Sequence, residues 1–364
     1  MRRIRKEPEL KEKNELTACR RKTSIGGQAL MEGIMMRGPK MTAMAVRNTK
    51  GEIVVEEFET TTAKRPAFCR WPIIRGVIGY VDTMVLGYKC LMRSAELSGL
   101  DDLVEEKPKK KKGKKESAET VESASAPENT EETPKEKKED KMPAWMMALI
   151  SVVSVVLGFG LAIGLFMILP TFLYGLVAPV IEGKNLVLNS IWKSAIEGVL
   201  KVVLLVAYMA AISLMKDIRR TYMYHGAEHK TIFCYEAGLP LTVENVRAQN
   251  RFHPRCGTSF LILMILVSIF FSFFIDPISV AISGKVLPLG LRALVKLGLL
   301  PIIVGVGYEL IKFAGRHDNV LTRIISLPGV WLQHLTVFEP DDGMIECAIT
   351  AVERVIPDDG SDKW

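Results

Sequence analysis

The sequence lacks an apolar stretch near its start. Its first 24 residues, MRRIRKEPELKEKNELTACRRKTS, are dominated by charge and contain no apolar core of a secretory signal. We therefore expect the amino terminus to begin in the cytoplasm. Cysteine is sparse as well, and the six cysteines are scattered without paired spacing. This argues against a disulfide framework and predicts free thiols in a reducing compartment.

Features of nucleic-acid and nucleotide binding are also missing. The net charge is +7, but most of the basic excess lies close to apolar stretches, where anionic lipid is the simpler partner. No basic patch is interleaved with aromatic residues. The glycine-rich segment GGQALMEGIMMRGP lacks the Gly-Lys-Ser/Thr ending of a phosphate loop. We expect no nucleic-acid partner.

Charged and apolar residues are segregated along the chain, which is 48% hydrophobic and 24% charged. Three of four nearly pure apolar stretches are about as long as a bilayer core of roughly 30 Å requires, and the first is longer than one crossing needs. The four stretches cover residues 146–181, 194–215, 258–275 and 294–314. The sequence therefore predicts a mainly α membrane protein with about four transmembrane helices. Pro170 and Pro179 predict that the tail of the first stretch folds back or lies at the outer interface.

The distribution of lysine and arginine predicts the orientation. The loop 216–257, between the second and third spans, holds seven such residues, whereas the loop before the second span holds only Lys184 and Lys193. The positive-inside rule then places 216–257 in the cytoplasm. With four spans, both termini are then expected in the cytoplasm.

The composition divides the chain into five predicted parts. They are a basic arm (1–24), a small α+β region that is cytoplasmic or interfacial (25–100), a disordered charged linker (101–142), a transmembrane domain (143–315) and a cytoplasmic carboxy-terminal segment (316–364). In the last part, Pro-Asp-Asp precedes the periodic stretch MIECAITAVERVI, which predicts an amphipathic helix.

The α+β region has two recognisable elements. The stretch MTAMAVRNTKGEIVVEEFE predicts a β-hairpin with its turn at Asn-Thr-Lys-Gly. Residues 72–92 predict an amphipathic helix, because Arg75, Asp82 and Lys89 are spaced by seven and form one polar stripe. We expect this helix to lie along the inner membrane surface, and a fifth span is the alternative.

Two pairs of charged residues lie near the outer ends of the spans. Glu197 and Lys201 are four residues apart, and so are Arg292 and Lys296. We expect structural pairing between helices, and a transport path is the alternative.

The clearest chemical motif is YHGAEHK in the loop 216–257. On a helix, His225 and His229 lie one turn apart on the same face, as two imidazoles must to bind one metal ion. Glu228 is then a general base or an anchor for a ligand, as in the inverted zinc-protease motif. The alternative is a pair of interfacial histidines bonded to lipid phosphate or backbone.

The same loop offers a third ligand in the sequence HPRCG. His253 would give three histidines and leave a position open for water, which favours a catalytic zinc or another divalent transition metal. Adding Cys256 as a fourth ligand would complete the tetrahedral coordination shell and favour a structural metal. Glu309 is a further candidate, by analogy with peptidases that carry the inverted motif. The isolated His317 and His334 are left outside the predicted site.

The segment GGQALMEGIMMRGP contributes three further candidate residues. Gln28, Glu32 and Arg37 stand out among apolar neighbours and either line a cleft against the membrane face or belong to a hairpin satisfied within itself. The glycines supply tight turns.

Four segments carry a family resemblance: GGQALMEGIMMRGP, YHGAEHK, FHPRCGTSF and LPGVWLQHLTVFEPDDGMIECAI. In these the sequence resembles the YqhQ-like family of bacterial membrane proteins, a family of unknown function that is sometimes called a predicted metal-dependent enzyme. The resemblance covers residues 24 to 355 apart from the linker. It implies a bacterial inner-membrane protein and supplies no substrate.

These observations favour a membrane-embedded metal-dependent hydrolase whose site opens at the cytoplasmic face. The alternatives are a non-catalytic assembly or scaffold factor with a membrane-protein partner and, third, a transporter. The expected partners are the lipid bilayer and anionic lipid at the basic segments beside it.

Overall fold

A computed structural model of the chain describes residues 22–60, 66–99, 144–317 and 319–363. Most of the predicted basic arm and all of the predicted linker 101–142 lie outside the described residues. Within them the protein is mainly α-helical and carries one four-stranded antiparallel sheet near its amino terminus.

The sheet is a meander in which each strand pairs with the next. Its strands are β1 (Gly26–Leu30), β2 (Gly33–Arg37), β3 (Met41–Arg47) and β4 (Ile53–Glu59). The predicted hairpin is confirmed as β3 and β4, and its turn is held by Asn48, whose side-chain oxygen accepts hydrogen bonds from the backbone of Lys50 and Glu52. The segment GGQALMEGIMMRGP forms a second hairpin, β1 and β2.

Both faces of the sheet are covered. On one face Ile34, Met36 and Ala45 join the main core. On the other, Met35 and Met44 pack with Cys90 of a helix. Because β2 and β3 are buried on both sides, their sequences are nearly continuously apolar and do not alternate cleanly.

Ten α-helices are described. They are α1 (Ile74–Leu97), α2 (Ala144–Ile163), α3 (Leu169–Ile181), α4 (Leu186–Ser213), α5 (Lys216–Ala237), α6 (Val243–Arg247), α7 (Gly257–Ser283), α8 (Leu289–Arg316), α9 (Val320–Thr336) and α10 (Asp342–Glu353). Four segments are long and apolar enough to cross a membrane: Val152–Ile181, Leu186–Ser213, Gly257–Ser283 and Gly290–Arg316. The four predicted spans are thus present as helices.

The tail of the first apolar stretch does not fold back, which was one of its two predicted arrangements. A π-helical turn, Gly164–Ile168, joins α2 to α3, and the helix continues through Pro170 and Pro179 to Ile181. Pro170 lies in the first turn of α3, where the missing N–H of proline is tolerated, and the wider π turn absorbs the disrupted hydrogen-bond pattern.

Helix α1 connects the sheet with the apolar helices. Its first half packs along α8, where a Cβ added to Gly76 would lie 2.8 Å from the Cβ of Tyr308. Arg75 binds Glu309 of α8 through two hydrogen bonds, of 2.6 and 2.5 Å. Its second half covers the sheet around Cys90. Helix α1 is not among the four candidate spans.

The predicted charge pairs connect α4, α7 and α8. The guanidinium of Arg292 donates to Glu197 at 2.7 Å and lies 3.1 Å from a carboxylate oxygen of Asp276, and all three side chains are buried. Lys296 lies 3.5 Å from the other oxygen of Glu197.

Helices α5, α6 and α10 share the main core with the sheet. Helix α5 begins after a break at Leu214 and Met215 and packs between β1 and α10. The predicted amphipathic carboxy-terminal helix is α10, and the side chain of Asp341 caps it by accepting from the backbone of Met344 at 2.8 Å. This packing fixes the position of α5, the helix that carries the candidate site.

Candidate metal centre

Helix α5 carries His225, Glu228 and His229 on its inward face. The helix runs for 22 residues and ends at Gly238, whose positive φ of 71° forms the left-handed C-cap. His229 and Glu228 are buried, whereas His225 remains partly accessible to solvent. The helical spacing that the motif predicts is therefore present.

Three potential ligand atoms meet at this face. One atom each from His225, His229 and Cys256 lies within 4.8 Å of the other two. Nε2 of His225 is 3.1 Å from the sulfur of Cys256. Atoms bound to one tetrahedral zinc ion are about 3.3–3.8 Å apart, so this cluster is close to the spacing that a metal ion requires.

Both imidazoles are oriented by backbone carbonyls. Nδ1 of His225 donates to the oxygen of Thr336 at 3.0 Å, and Nδ1 of His229 donates to the oxygen of Arg251 at 2.5 Å. A carbonyl oxygen only accepts, so Nδ1 of each ring carries a proton, and Nε2 is the atom that could present a lone pair to a metal ion. Nε2 of His229 is buried without a hydrogen-bond partner among the described residues. Buried polar atoms are seldom left unbonded, and metal-binding histidines are oriented in this way, so the site fits a metal ion.

Cys256 lies at the N-cap of α7, where the helix dipole favours a negative charge. Its sulfur accepts from the backbone N–H of Thr258 at 3.4 Å. Burial alone would raise the pKa of the thiol, but the neighbouring imidazoles of His225 and His229 lower it well below its ordinary value. Burial alone would lower the pKa of His225, and the Cys256 thiolate raises it to about 9. Without a metal ion, the two groups form a thiolate–imidazolium pair.

Glu228 faces the first strand of the sheet. Its carboxylate accepts from the backbone N–H of Gly27 at 3.0 Å, and burial raises the pKa of its carboxyl group. A Cβ added to Gly27 would lie 2.7 Å from the oxygen of Met35 and 3.0 Å from Glu228, so only glycine allows this close approach. Glu228 lines a cavity of about 150 Å³ together with His229 and Cys256.

The structure does not bring His253 into the three-atom cluster. Its ring is centred 5.6 Å from that of His229 and lies beside Glu236 and Arg255. Burial lowers the pKa of His253 to about 4, so the ring is neutral at pH 7. The side chain of Gln333 fixes its backbone, accepting from the N–H at 2.8 Å and donating to the oxygen at 2.7 Å.

Glu236 is the buried carboxylate of this neighbouring network. Burial by itself would raise its pKa, but the neighbouring His253, whose Nε2 lies 3.6 Å from a carboxylate oxygen, and the charge of Arg255 lower it. The backbone N–H of Thr23 also donates to it, at 2.8 Å. Cys256 therefore supplies the third potential ligand atom of the cluster, and His253 belongs to the neighbouring network with Glu236.

The other predicted site residues lie elsewhere. Glu309 is bound by Arg75, and Glu32 accepts from Arg220 at 2.7 Å and from the hydroxyl of Tyr224 at 3.3 Å. Gln28 and Arg37 line a larger cavity next to the centre. The isolated histidines remain outside: Nδ1 of His317 bonds to the oxygen of Phe313, and Nδ1 of His334 to that of Trp331.

Four residues that position the site are not among the predicted site residues: Gly27, Gly226, Thr336 and Gln333. A Cβ added to Gly226 would lie 2.0 Å from the backbone oxygen of Phe338, so this glycine brings α5 against the chain that follows Thr336. None of the four carries ligand chemistry. Gly27 and Thr336 act through backbone groups, Gln333 acts through its side-chain amide, and Gly226 acts through its lack of a side chain. All four lie in segments that carry the family resemblance, which is the one sequence feature that marks them.

The fold and the site together define a class: a helical chain with four apolar helices long enough to cross a membrane, and a histidine–histidine–cysteine cluster beside a small antiparallel sheet. Residues 71–358 match the family described as "Protein of unknown function (DUF1385)", and the chain belongs to this family.

The chain is similar to "Uncharacterized protein YqhQ" of Bacillus subtilis (strain 168), with 32% identity over 337 residues, which cover 92% of each chain. The resemblance to a YqhQ-like family is thereby confirmed. No solved structure matches the chain.

Proposed function

We propose that this protein is a membrane-embedded, metal-dependent hydrolase whose centre lies at the cytoplasmic face of the membrane. His225, His229 and Cys256 hold a divalent transition metal, and Glu228 acts as the general base. The observation that carries the proposal is the convergence of three ligand atoms, with both histidines oriented through Nδ1 by carbonyl oxygens.

The donor set supports both the metal and a catalytic role. Two imidazole nitrogens and a thiolate suit zinc, and three protein ligands leave the fourth tetrahedral position for water or substrate. His253 remains in its own network with Glu236, so it does not close the shell. A bound ion would supply Lewis-acid polarisation and lower the pKa of a coordinated water molecule.

The residues of the chain then divide the remaining work. Glu228, held by the N–H of Gly27 in the same cavity as Cys256, takes the proton from the attacking water. The water oxygen forms the new bond to the carbonyl or phosphoryl centre, and the leaving group departs with a proton. The carbonyl oxygens of Thr336 and Arg251 hold the imidazoles in the productive tautomer.

Metal content tests the ligand assignment. The full chain is purified in detergent without chelators, and its transition metals are measured by elemental analysis. We expect about one ion per chain, loss of nearly all of it in His229→Ala and Cys256→Ser, and retention in Glu228→Gln and His253→Gln. His334→Ala is the matched control, because it removes an exposed histidine outside the cluster.

Two results would contradict the assignment. A wild-type protein that holds no transition metal would reject the metal. A His253→Gln variant that loses the ion, together with a Cys256→Ser variant that retains it, would replace the cysteine by the third histidine.

Hydrolysis is tested without knowledge of the substrate. Bacterial membrane extract is incubated with the protein in H₂¹⁸O, and products that gain one ¹⁸O atom are sought by mass spectrometry. We expect such products with wild type and their loss with Glu228→Gln, which preserves shape and removes the base. Equal labelling in the two samples would reject Glu228 as the base.

The short distance of 3.1 Å between Cys256 and His225, at the N-terminus of α7, favours a second candidate: a cysteine hydrolase in which Cys256 is the nucleophile. Chelation separates the two. The metal-dependent mechanism predicts that chelator removes activity and that added zinc restores it, whereas the cysteine mechanism predicts activity that survives chelation and is lost on alkylation of Cys256.

A further inference from the structure

A second cavity, larger than that of the metal centre, borders it. It has a volume of about 660 Å³, which is in the range of small-molecule sites. We call it the groove. Strands β1 and β2 form its roof, and α1, α7 and α8 form its walls. Gly27, Arg255 and Cys256 line both the groove and the smaller cavity, so the groove reaches the candidate ligand Cys256.

The walls of the groove are apolar and continue onto the outer surface. Tyr80 of α1 and Phe260 of α7 meet across it, with ring centroids 5.7 Å apart. Met84 lines the groove and is 50% exposed, and its neighbours Val81 and Val85 are 52% and 51% exposed. Because α1 packs along the candidate span α8, we expect this apolar face of α1 to border the bilayer. On that expectation the groove opens sideways to lipid.

The groove also has polar and positively charged lining residues. Gln28, Arg37 and Arg255 line it, and no acidic residue does among the described residues. The guanidinium of Arg37 has no ion pair or hydrogen bond with the described part of the chain. Nη1 of Arg255 is buried and likewise lacks a hydrogen-bond partner there. Arg255 is paired with Glu236 through Nη2, so its free donor is Nη1. This donor and the guanidinium of Arg37, beside an apolar slot, suit an anionic head attached to an apolar chain.

We propose that the groove binds an acidic membrane amphiphile and presents it to the metal centre as substrate. Its apolar chain lies between α1 and α7, and its phosphate or carboxylate head lies by Arg37 and Arg255, next to Cys256. The step from ligand to substrate rests on the proposed hydrolase function, whereas the binding does not.

Native mass spectrometry of the full chain in detergent tests the binding. The protein is titrated with phosphatidic acid, with diacylglycerol, which has the same chains but no charged head, and with inorganic phosphate, which has no chain. We expect one phosphatidic acid per chain at low concentration and about tenfold weaker binding of each of the other two probes.

Two variants localise the site. Gly79→Leu narrows the groove, since an added Cβ there meets only the ring of Tyr308, at 3.8 Å. Its matched control is Gly158→Leu on α2, where an added Cβ meets nothing within 4 Å. We expect Gly79→Leu to weaken the binding of both phosphatidic acid and diacylglycerol by about tenfold. We expect Gly158→Leu to leave both affinities unchanged. Arg37→Gln should weaken the binding of phosphatidic acid about tenfold and leave the binding of diacylglycerol unchanged.

Equal binding of phosphatidic acid and diacylglycerol, unaffected by Gly79→Leu, would overturn the proposal in favour of ordinary lipid around the spans. Inorganic phosphate that binds as tightly as phosphatidic acid and displaces it, with no effect of Gly79→Leu, would overturn it in favour of a simple anion site.

The His229→Ala variant separates this inference from the proposed function. Phosphatidic acid that binds this metal-free variant as tightly as wild type supports the groove even if the wild type proves to hold no metal. Wild-type protein with a full complement of metal and no selective lipid binding would reject the groove and leave the metal centre standing.

Discussion

At the scale of single residues, the site depends on which groups are kept neutral and which are charged. Cys256 and His225 form a charged pair in the absence of metal, whereas His253, only a few residues away, is kept neutral by burial. Glu236 stays ionised because Arg255 and His253 surround it. One loop therefore supplies an anionic candidate ligand, Cys256, and a neutral imidazole, His253, three residues before it.

The neutral state of His253 leads to a prediction about pH. Its pKa falls from an ordinary value of 6.5 to about 4 in the folded protein, so between these values the unfolded chain binds more protons. The contribution of neutral His253 to the free energy of unfolding is therefore complete above pH 6.5 and is lost as the pH falls towards 4. The His253→Gln variant does not show this loss. The difference in free energy of unfolding between wild type and the variant should therefore shrink by about 3 kcal/mol between pH 7 and pH 4.

The measurement is the unfolding of chelator-treated protein in detergent, followed by tryptophan fluorescence at each pH. Chelation removes metal release at low pH as a competing cause. Parallel pH curves for wild type and variant would show that His253 is protonated in the folded state and is not held neutral.

At the scale of secondary-structure elements, the cluster depends on how closely α5 approaches the segment that follows α9. The backbone N–H of Phe338 donates to the oxygen of Tyr222 at 3.0 Å, and Gly226 lies against the oxygen of Phe338. The same segment contains Thr336, whose oxygen orients His225. This contact joins the backbone of α5 directly to the segment that follows α9, and no side chain lies between them.

Gly226→Ala should therefore damage both the fold and the site. An added Cβ would lie 2.0 Å from a backbone oxygen, which cannot rotate away, so the helix and the segment must separate. We expect a loss of about 1–3 kcal/mol of stability and weaker metal binding, because His225 loses its anchor at Thr336. Thermal unfolding and metal titration measure the two effects.

Gly298→Ala on α8 is the matched control, since an added Cβ there meets nothing within 4 Å. Alanine favours a helix over glycine by about 0.5–1 kcal/mol, so this variant should unfold at the same temperature as wild type or a higher one. Equal stability and metal affinity in Gly226→Ala would show that α5 and the segment can separate without consequence.

At the scale of the whole molecule, the orientation in the membrane is a prediction from charge. The basic loop 216–257 contains α5 and the candidate centre, and we expect it in the cytoplasm. In a background with Cys19→Ser and Cys69→Ser, a membrane-impermeant thiol reagent applied outside the cell should label Lys184→Cys and spare Glu244→Cys. The other cysteines, Cys90, Cys234, Cys256 and Cys347, are buried. The reverse labelling pattern would overturn the orientation and place the centre outside the cell.

Much of the architecture follows from local sequence alone. The four apolar stretches predict the four long helices because hydropathy and length are properties of each segment by itself. The hairpin β3–β4 follows from its turn residues, and the position of His225 and His229 on one face follows from the helical repeat. The prediction that the tail of the first apolar stretch folds back is wrong, because a π-helical turn accommodates Pro170 within a continuous helix.

The composition of the site was decided by tertiary contacts. Cys256 and His253 stand three residues apart, and sequence spacing does not distinguish them as ligands; the bonds from Gln333 to the backbone of His253, and its place beside Glu236, turn that ring away from the cluster. The groove likewise arises only where β1, α1, α7 and α8 meet. Residue type and periodicity fix which groups are available, but packing between distant segments fixes which of them converge, because each contact depends on the positions of both partners.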